Sequence, residues 1–206
     1  GAFMFESAMQ SHLHRDDRQH LLTLAARMLQ AAAKTGQADV SPIPLGRLPM
    51  TLSAQRAVFI TLDKERAPRG QAGTLNPMRG LATEVLAQTV RAGVGDPRFP
   101  PVRESELDAI TLTISILSHP RPIPAAADRD ALQKLIPGRT GLVVEDRART
   151  IVQLPLAWEQ FADPVMFLAA ARQRANFDLT PWPPSLKMRG FSAESFSAPV
   201  GSLLKG

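Results

Sequence analysis

Apolar side chains at Leu21, Leu24, Ala25, Met28, Leu29 and Ala32 fall at i, i+3, i+4, i+7, i+8 and i+11, the stripe that one face of an α-helix presents. The spacing predicts a helix over Asp17–Lys34, capped by Asp16 or Asp17 and stopped by Gly36. A second helix is predicted over Leu81–Ala92, with Ala82, Val85, Leu86 and Val90 on a broad apolar face and Gly93 at its end. Asp163-Pro164 pairs a capping side chain with a proline at the first helical position. It opens a helix to Arg174 whose inward residues are Phe167, Leu168 and Ala171. A short helix is predicted over Asp128–Ile136.

Elsewhere the period is two. Ile110, Leu112, Ile114 and Ile116 alternate with Thr111, Thr113 and Ser115, so Ile110–Ser118 reads as a strand with one core face and one hydroxyl-rich face. The run Ala57–Leu62, the polar turn Asp63–Arg66 and the re-extension through Gln71–Leu75 read as a hairpin carrying Arg69-Gly70 near its return. Gly141–Glu145 and Thr150–Leu154 flank a turn at Asp146-Arg147, and Lys187–Phe191 is a last strand. The proline-rich Ser41–Pro49 cannot join a central strand, Asp96–Pro101 is too proline-rich for either regular element, and Pro120, Pro122 and Pro124 end the Ile110–Ser118 strand. Helices and strands are interspersed without strict β-α-β alternation. The fold class is therefore α+β, with a largely antiparallel or mixed sheet flanked by helices.

The chain has 206 residues, 44% of them apolar, enough to bury a core as one domain or two joined subdomains. It has no cysteine. Disulfides, cysteine-held zinc, iron–sulfur clusters held by this chain and thiol nucleophiles are thereby excluded. The net charge of +5 favours anionic partners, but the basic residues are scattered, unlike the concentrated patch of a nucleic-acid surface. No stretch approaches the ~18 consecutive apolar residues of a membrane span, and no secretory leader pattern opens the chain. A cytoplasmic protein without a membrane partner is expected. Because the chain opens on Gly, residues 1–16 are expected to be an N-terminal extension carrying part of an expression remnant over Gly1–Phe5. Residues 17–196 are expected to form the domain and 197–206 a tail.

The order Val58-Phe59-Ile60-Thr61-Leu62, Arg69-Gly70-Gln71-Ala72-Gly73-Thr74-Leu75, Asp96-Pro97-Arg98-Phe99-Pro100-Pro101-Val102, Glu106-Leu107 and Ile114-Ser115-Ile116-Leu117-Ser118 resembles the AMMECR-type domain family. Gly141-Leu142-Val143-Val144, Gln153-Leu154-Pro155, Trp158-Glu159, Phe167-Leu168 and Trp182 are similar to its later blocks. The hallmark of that family is Leu-Arg-Gly-Cys-Ile-Gly after a strand. Here Pro68, Gln71 and Ala72 stand where the hallmark has leucine, cysteine and isoleucine, while Arg69, Gly70 and Gly73 are retained. The resemblance implies a two-subdomain α+β fold and a part like protein A of the AmmeMemoRadiSam arrangement, with Memo-like and radical SAM proteins as partners. It implies no particular reaction and no cofactor. With Gln71 in the cysteine position, whatever the motif does here proceeds without a thiol.

The candidate ligand-binding residues are Arg69, Gly70, Gln71, Gly73, Thr74, Asp96 and Arg98. Two glycines let backbone approach a ligand or another strand closely, and arginine binds carboxylate or phosphate bidentately. The competing reading is a tightly packed hairpin whose Arg69 pairs internally with a carboxylate such as Asp96. As an enzyme without a thiol, the chain would use Asp96 as acid or base with Arg69 and Arg98 stabilising a developing anion. Glu159 is the other carboxylate kept as a candidate. As a binding module, it would recognise an anionic small molecule or a partner protein through Arg69 and Arg98; nucleic-acid binding by a basic surface is the third reading. His12, His14 and His20 lack an identifiable third ligand and are read as solvated, so no metal site is expected. No G-x-G-x-x-G, G-x-x-x-x-G-K-[ST], H-E-x-x-H or G-x-S-x-G motif occurs.

Overall fold

The computed structural model of the chain describes residues 12–39, 43–147, 149–175 and 182–206. The expected N-terminal extension before His12, and Ser41 and Pro42 of the first proline loop, lie outside these residues. Two units form. The first runs to Ile116 and resumes over Glu194–Gly206; the second is the intervening Leu117–Ala193.

In the first unit a sheet of order β2-β1-β3-β8 is built from β1 (Val58–Lys64), β2 (Ala67–Thr74), β3 (Ile110–Leu117) and β8 (Ala193–Pro199). β1 pairs antiparallel with both β2 and β3. The alternation read in the sequence sorts the faces: Val58, Ile60, Leu62, Leu112, Ile114 and Ile116 are buried in one core. Helices α1 (Arg15–Thr35) and α3 (Leu81–Val94) add Leu21, Ala25, Leu29, Leu81, Ala82 and Val85 to it, and the short α2 (Met50–Ser53) adds Leu52. The cap of α1 is His14, whose side chain accepts from the Asp16 amide; Asp16 and Asp17, expected as caps, occupy the first turn instead, where their charge suits the helix dipole. Gly36 ends the helix at φ 65° as anticipated.

Residues 197–206 finish β8 and form α6 (Val200–Leu204), with Val200 and Leu203 in the first core. The hydroxyl face of β3 is not a plain solvent face. Ser115 is fully buried, its hydroxyl 2.8 Å from that of Ser195 on β8.

The second unit has its own four-stranded sheet, order β4-β7-β5-β6, made of β4 (Arg121–Pro122), β5 (Gly141–Asp146), β6 (Arg149–Gln153) and β7 (Lys187–Phe191). The pairs β5–β6, β5–β7 and β4–β7 are antiparallel. The antiparallel pairing expected from the sequence thus occurs in two sheets, one in each unit, within the α+β class. Helices α4 (Asp128–Leu132) and α5 (Pro164–Arg174) cover this sheet. The Asp163 carboxylate caps α5 by accepting from the Val165 amide at 2.7 Å. Phe167 lies flat on Trp158, ring centroids 3.8 Å apart, and the Trp158 indole donates to the Thr140 carbonyl. The buried Arg172 guanidinium meets Asp128, which also accepts from Trp182.

The motif glycines are places of close approach. A methyl group on Gly70 would stand 2.1 Å from the Ala92 carbonyl oxygen at the end of α3. On Gly73 it would enter the ring of Phe59, its cross-strand neighbour, at 2.3–2.5 Å. The first clash is with backbone, which cannot step aside as a side chain can. Gly70→Ala is therefore expected to destabilise the first unit by about 3 kcal/mol. The measurement is amide-exchange protection in β1 and β2, because both tryptophans lie in the second unit.

Candidate functional site

β1 and β2 are joined by Glu65 and Arg66, both at positive φ (51° and 68°), the turn geometry that follows the twist of a two-residue hairpin. Two residues further on the ladder slips. Leu62 pairs with Gly70 and Asp63 with Pro68, leaving Arg69 as the extra residue of a β-bulge. Pro68 has no N–H to give the ladder, and a bulge re-aims the residue it extrudes. Arg69 is accordingly turned toward the loop that follows α3.

There its guanidinium is almost fully used. Nε donates to Glu106 Oε1 at 3.0 Å and Nη2 to Glu106 Oε2 at 2.9 Å, while Nη1 reaches the Pro100 carbonyl at 2.9 Å and Nη2 the Pro101 carbonyl at 3.4 Å. Glu106 also accepts from Lys64 Nζ at 3.1 Å and from the Arg103 amide at 3.0 Å. Hydrogen bonds from Arg69 hold its carboxyl down from an ordinary 4.5 to about 2.

A second cluster lies beside the first. Asp96 Oδ2 accepts from the Gln71 amide at 2.9 Å and from Arg98 Nη2 at 2.7 Å, and Oδ1 accepts from the Arg98 amide and Nε at 3.1 and 3.0 Å. The Arg98 side chain brings the Asp96 pKa down to about 2, so this carboxylate is ionised throughout the neutral range with both oxygens engaged. Arg98 itself is half exposed and lies over the Phe99 ring, 5.3 Å from its centre.

The seven candidate ligand-binding residues thus divide. Arg69, Gly70, Gln71, Gly73 and Thr74 share β2, and the structure joins Gln71 to Asp96 and Arg98. It does not pair Arg69 with Asp96; the partner is Glu106. The Gln71 side chain donates to the Thr61 hydroxyl across the hairpin at 3.1 Å, and Thr74 Oγ1 accepts from the Asn76 amide. Glu159 is exposed in a 3-10 turn, Pro155–Glu159, of the second unit.

Four residues near this centre had not been singled out from the sequence as site residues. Lys64, Arg103, Ser105 and Glu106, with Arg69, Pro100 and Pro101, line an open depression of about 370 Å³. One local signal was available. Glu106 stands three residues after Arg103, whose amide it accepts at the head of a 3-10 turn, Glu104–Ala109, which is one half of a capping box.

A family model described as AMMECR1 matches residues 22–196. The chain belongs to the AMMECR1 family. This AMMECR1 chain is 32% identical over 185 residues to a protein of Thermococcus gammatolerans, covering 85% of the chain and 87% of the relative. It is 28% identical over 193 residues to a protein of Methanopyrus kandleri, covering 91% of each. Its fold superposes on the crystal structure of an uncharacterized protein from Pyrococcus horikoshii with a TM-score of 0.77 at 29% identity, over 87% of this chain and 90% of the other. The Pyrococcus horikoshii protein shares the α+β architecture, and none of these names states an activity.

The two depressed carboxyls make the AMMECR1 site acid-sensitive. A carboxylate whose folded pKa lies below its unfolded value contributes stability above the unfolded value and loses it as pH falls toward the folded one. Glu106, 4.5 to about 2, corresponds to about 3 kcal/mol, and Asp96, 3.8 to about 2, to about 2 kcal/mol. Stability of the first unit should fall progressively between about pH 5 and pH 2. Glu106→Gln should flatten that profile while lowering stability at neutral pH, as followed by amide exchange across the pH series.

Proposed function

We propose that this AMMECR1 chain is a binding module that recognises an anionic group, on a small molecule or a partner protein, through the basic surface beside Arg69 and Arg98. The observation that carries it is the lining of the depression: Lys64, Arg69 and Arg103 surround one carboxylate, Glu106, and leave a net charge of +2. Glu106 is held by four donors and stays ionised, so it fixes Arg69 and Lys64 in place and supplies no free acid or base. The Arg69 guanidinium is committed to the fold. Lys64 and Arg103, which line the same depression, are the groups left to meet a ligand, while Arg98 keeps only the part of its guanidinium that Asp96 does not engage.

Asp96 as an acid or base finds no comparable support, since Arg98 and the Gln71 amide occupy its oxygens. No helix among the described residues is long and apolar enough to cross a membrane. A cytoplasmic location, and capture of Memo-like or radical SAM proteins, belong to this same proposal.

Because Arg69→Ala would leave Glu106 without its main partner, at a cost of about 3 kcal/mol or more, that variant tests folding more than binding. The decisive pair is Lys64→Ala with Arg103→Ala. At low ionic strength, a panel of phosphate, sulfate, citrate and acetate should raise the Tm of the wild-type chain. A ligand at 100 times its Kd stabilises by about 2.7 kcal/mol, several degrees for a chain of this size. The double variant should show no such rise. An equal rise in both would end this assignment.

A further inference from the structure

We propose that the depression between β2 and the Glu104–Ala109 turn is built for a phosphate monoester; this rests on the anion-binding reading above and names its ligand class. Three features of the lining select phosphate over a simple carboxylate. The first is charge. Three cations against one carboxylate leave +2, matched by a dianionic phosphoryl group and only half matched by a monocarboxylate. Asp63, Glu65 and Glu104, the acids next in sequence to lining residues, do not line the depression.

The second is the number and direction of donors. An ammonium has three N–H groups, and Lys64 directs one to Glu106 Oε1 at 3.1 Å, leaving two. That bond also tethers the end of a flexible side chain, which lowers the ordering cost of meeting a ligand. Arg103 is exposed, and among the described residues no ion pair engages its guanidinium. Its planar fork suits phosphate oxygens. Ser105 adds a hydroxyl at the same rim. Lysine, arginine and serine together offer donors to the three outer oxygens of a monoester, more than a two-oxygen carboxylate can take up.

The third is the wall. Pro100 and Pro101 line the depression, and both give their carbonyls to Arg69. Proline has no N–H and both carbonyls are engaged by Arg69, so this wall has no backbone donor to offer the esterified part of the ligand. A volume of about 370 Å³ accepts a phosphoryl group with a small organic body.

The experiment is a titration of the full chain with methyl phosphate and, separately, with acetate, at one low ionic strength. It is followed by the backbone amide shifts of Lys64, Arg103 and Ser105. Methyl phosphate should bind saturably, at least tenfold tighter than acetate. Lys64→Gln and Arg103→Gln should each weaken it at least fivefold, whereas Arg27→Gln, which removes an exposed charge on α1, should leave it within twofold. If methyl phosphate and acetate bind with equal affinity and move the same amides, the phosphate assignment falls and the anion-binding reading stands. If neither anion saturates, or both bind as well to the Lys64→Gln and Arg103→Gln variants, both readings fall.

Discussion

A guanidinium withdrawn from water must be paired, and the first unit is arranged around that requirement at Arg69. The bulge that extrudes Arg69, the proline segment that offers two carbonyls and the turn that brings in Glu106 all serve this one group. β2 is an edge strand, and edge strands carry unpaired N–H groups that recruit foreign strands. Here Asp96 takes the outward Gln71 amide and Arg69 pins the rest of the loop alongside. One pair of clusters thus closes a sheet edge and shapes the basic rim beside it.

The hallmark frame can be understood in the same terms. Gly70 admits the end of α3, Gly73 admits the Phe59 ring, and Arg69 anchors the loop. Each retained residue has a structural task, and Gln71 between them bonds Thr61 across the hairpin. Lys64, Arg103 and Ser105, which line the depression with Arg69, lie outside this frame in sequence.

Elements with strong periodicity were readable before any coordinates. The stripe of α1, the alternation of β3, the Asp163-Pro164 start of α5 and the β5–β6 hairpin all lie where local pattern placed them. β8 was not anticipated because Ala193-Glu194-Ser195-Phe196-Ser197-Ala198-Pro199 lacks β-branched residues, and its place in the sheet comes from pairing with β3, far away in sequence. The cap of α1 falls to His14, one residue before the helix, since an aspartate inside the first turn has helical backbone. At the site, Arg69 and Asp96 stood out by residue type. Local pattern had no means of choosing between Asp96 and Glu106 as the partner of Arg69, because that contact spans 37 residues and follows from the path of a proline loop.

The first unit is assembled from two separate segments of the chain, with the second inserted between Ile116 and Glu194. During synthesis the second unit is therefore complete while the first still lacks β8 and α6. Val58, Ile60, Ile114 and their neighbours must wait for Val200 and Leu203, which are made only after the second unit. Joining ends across such an insert costs loop-closure entropy that grows only as the logarithm of its length, so the insert could lengthen at small expense. Loss of α6 would be far more damaging, for it would remove Val200 and Leu203 from the core of the first unit.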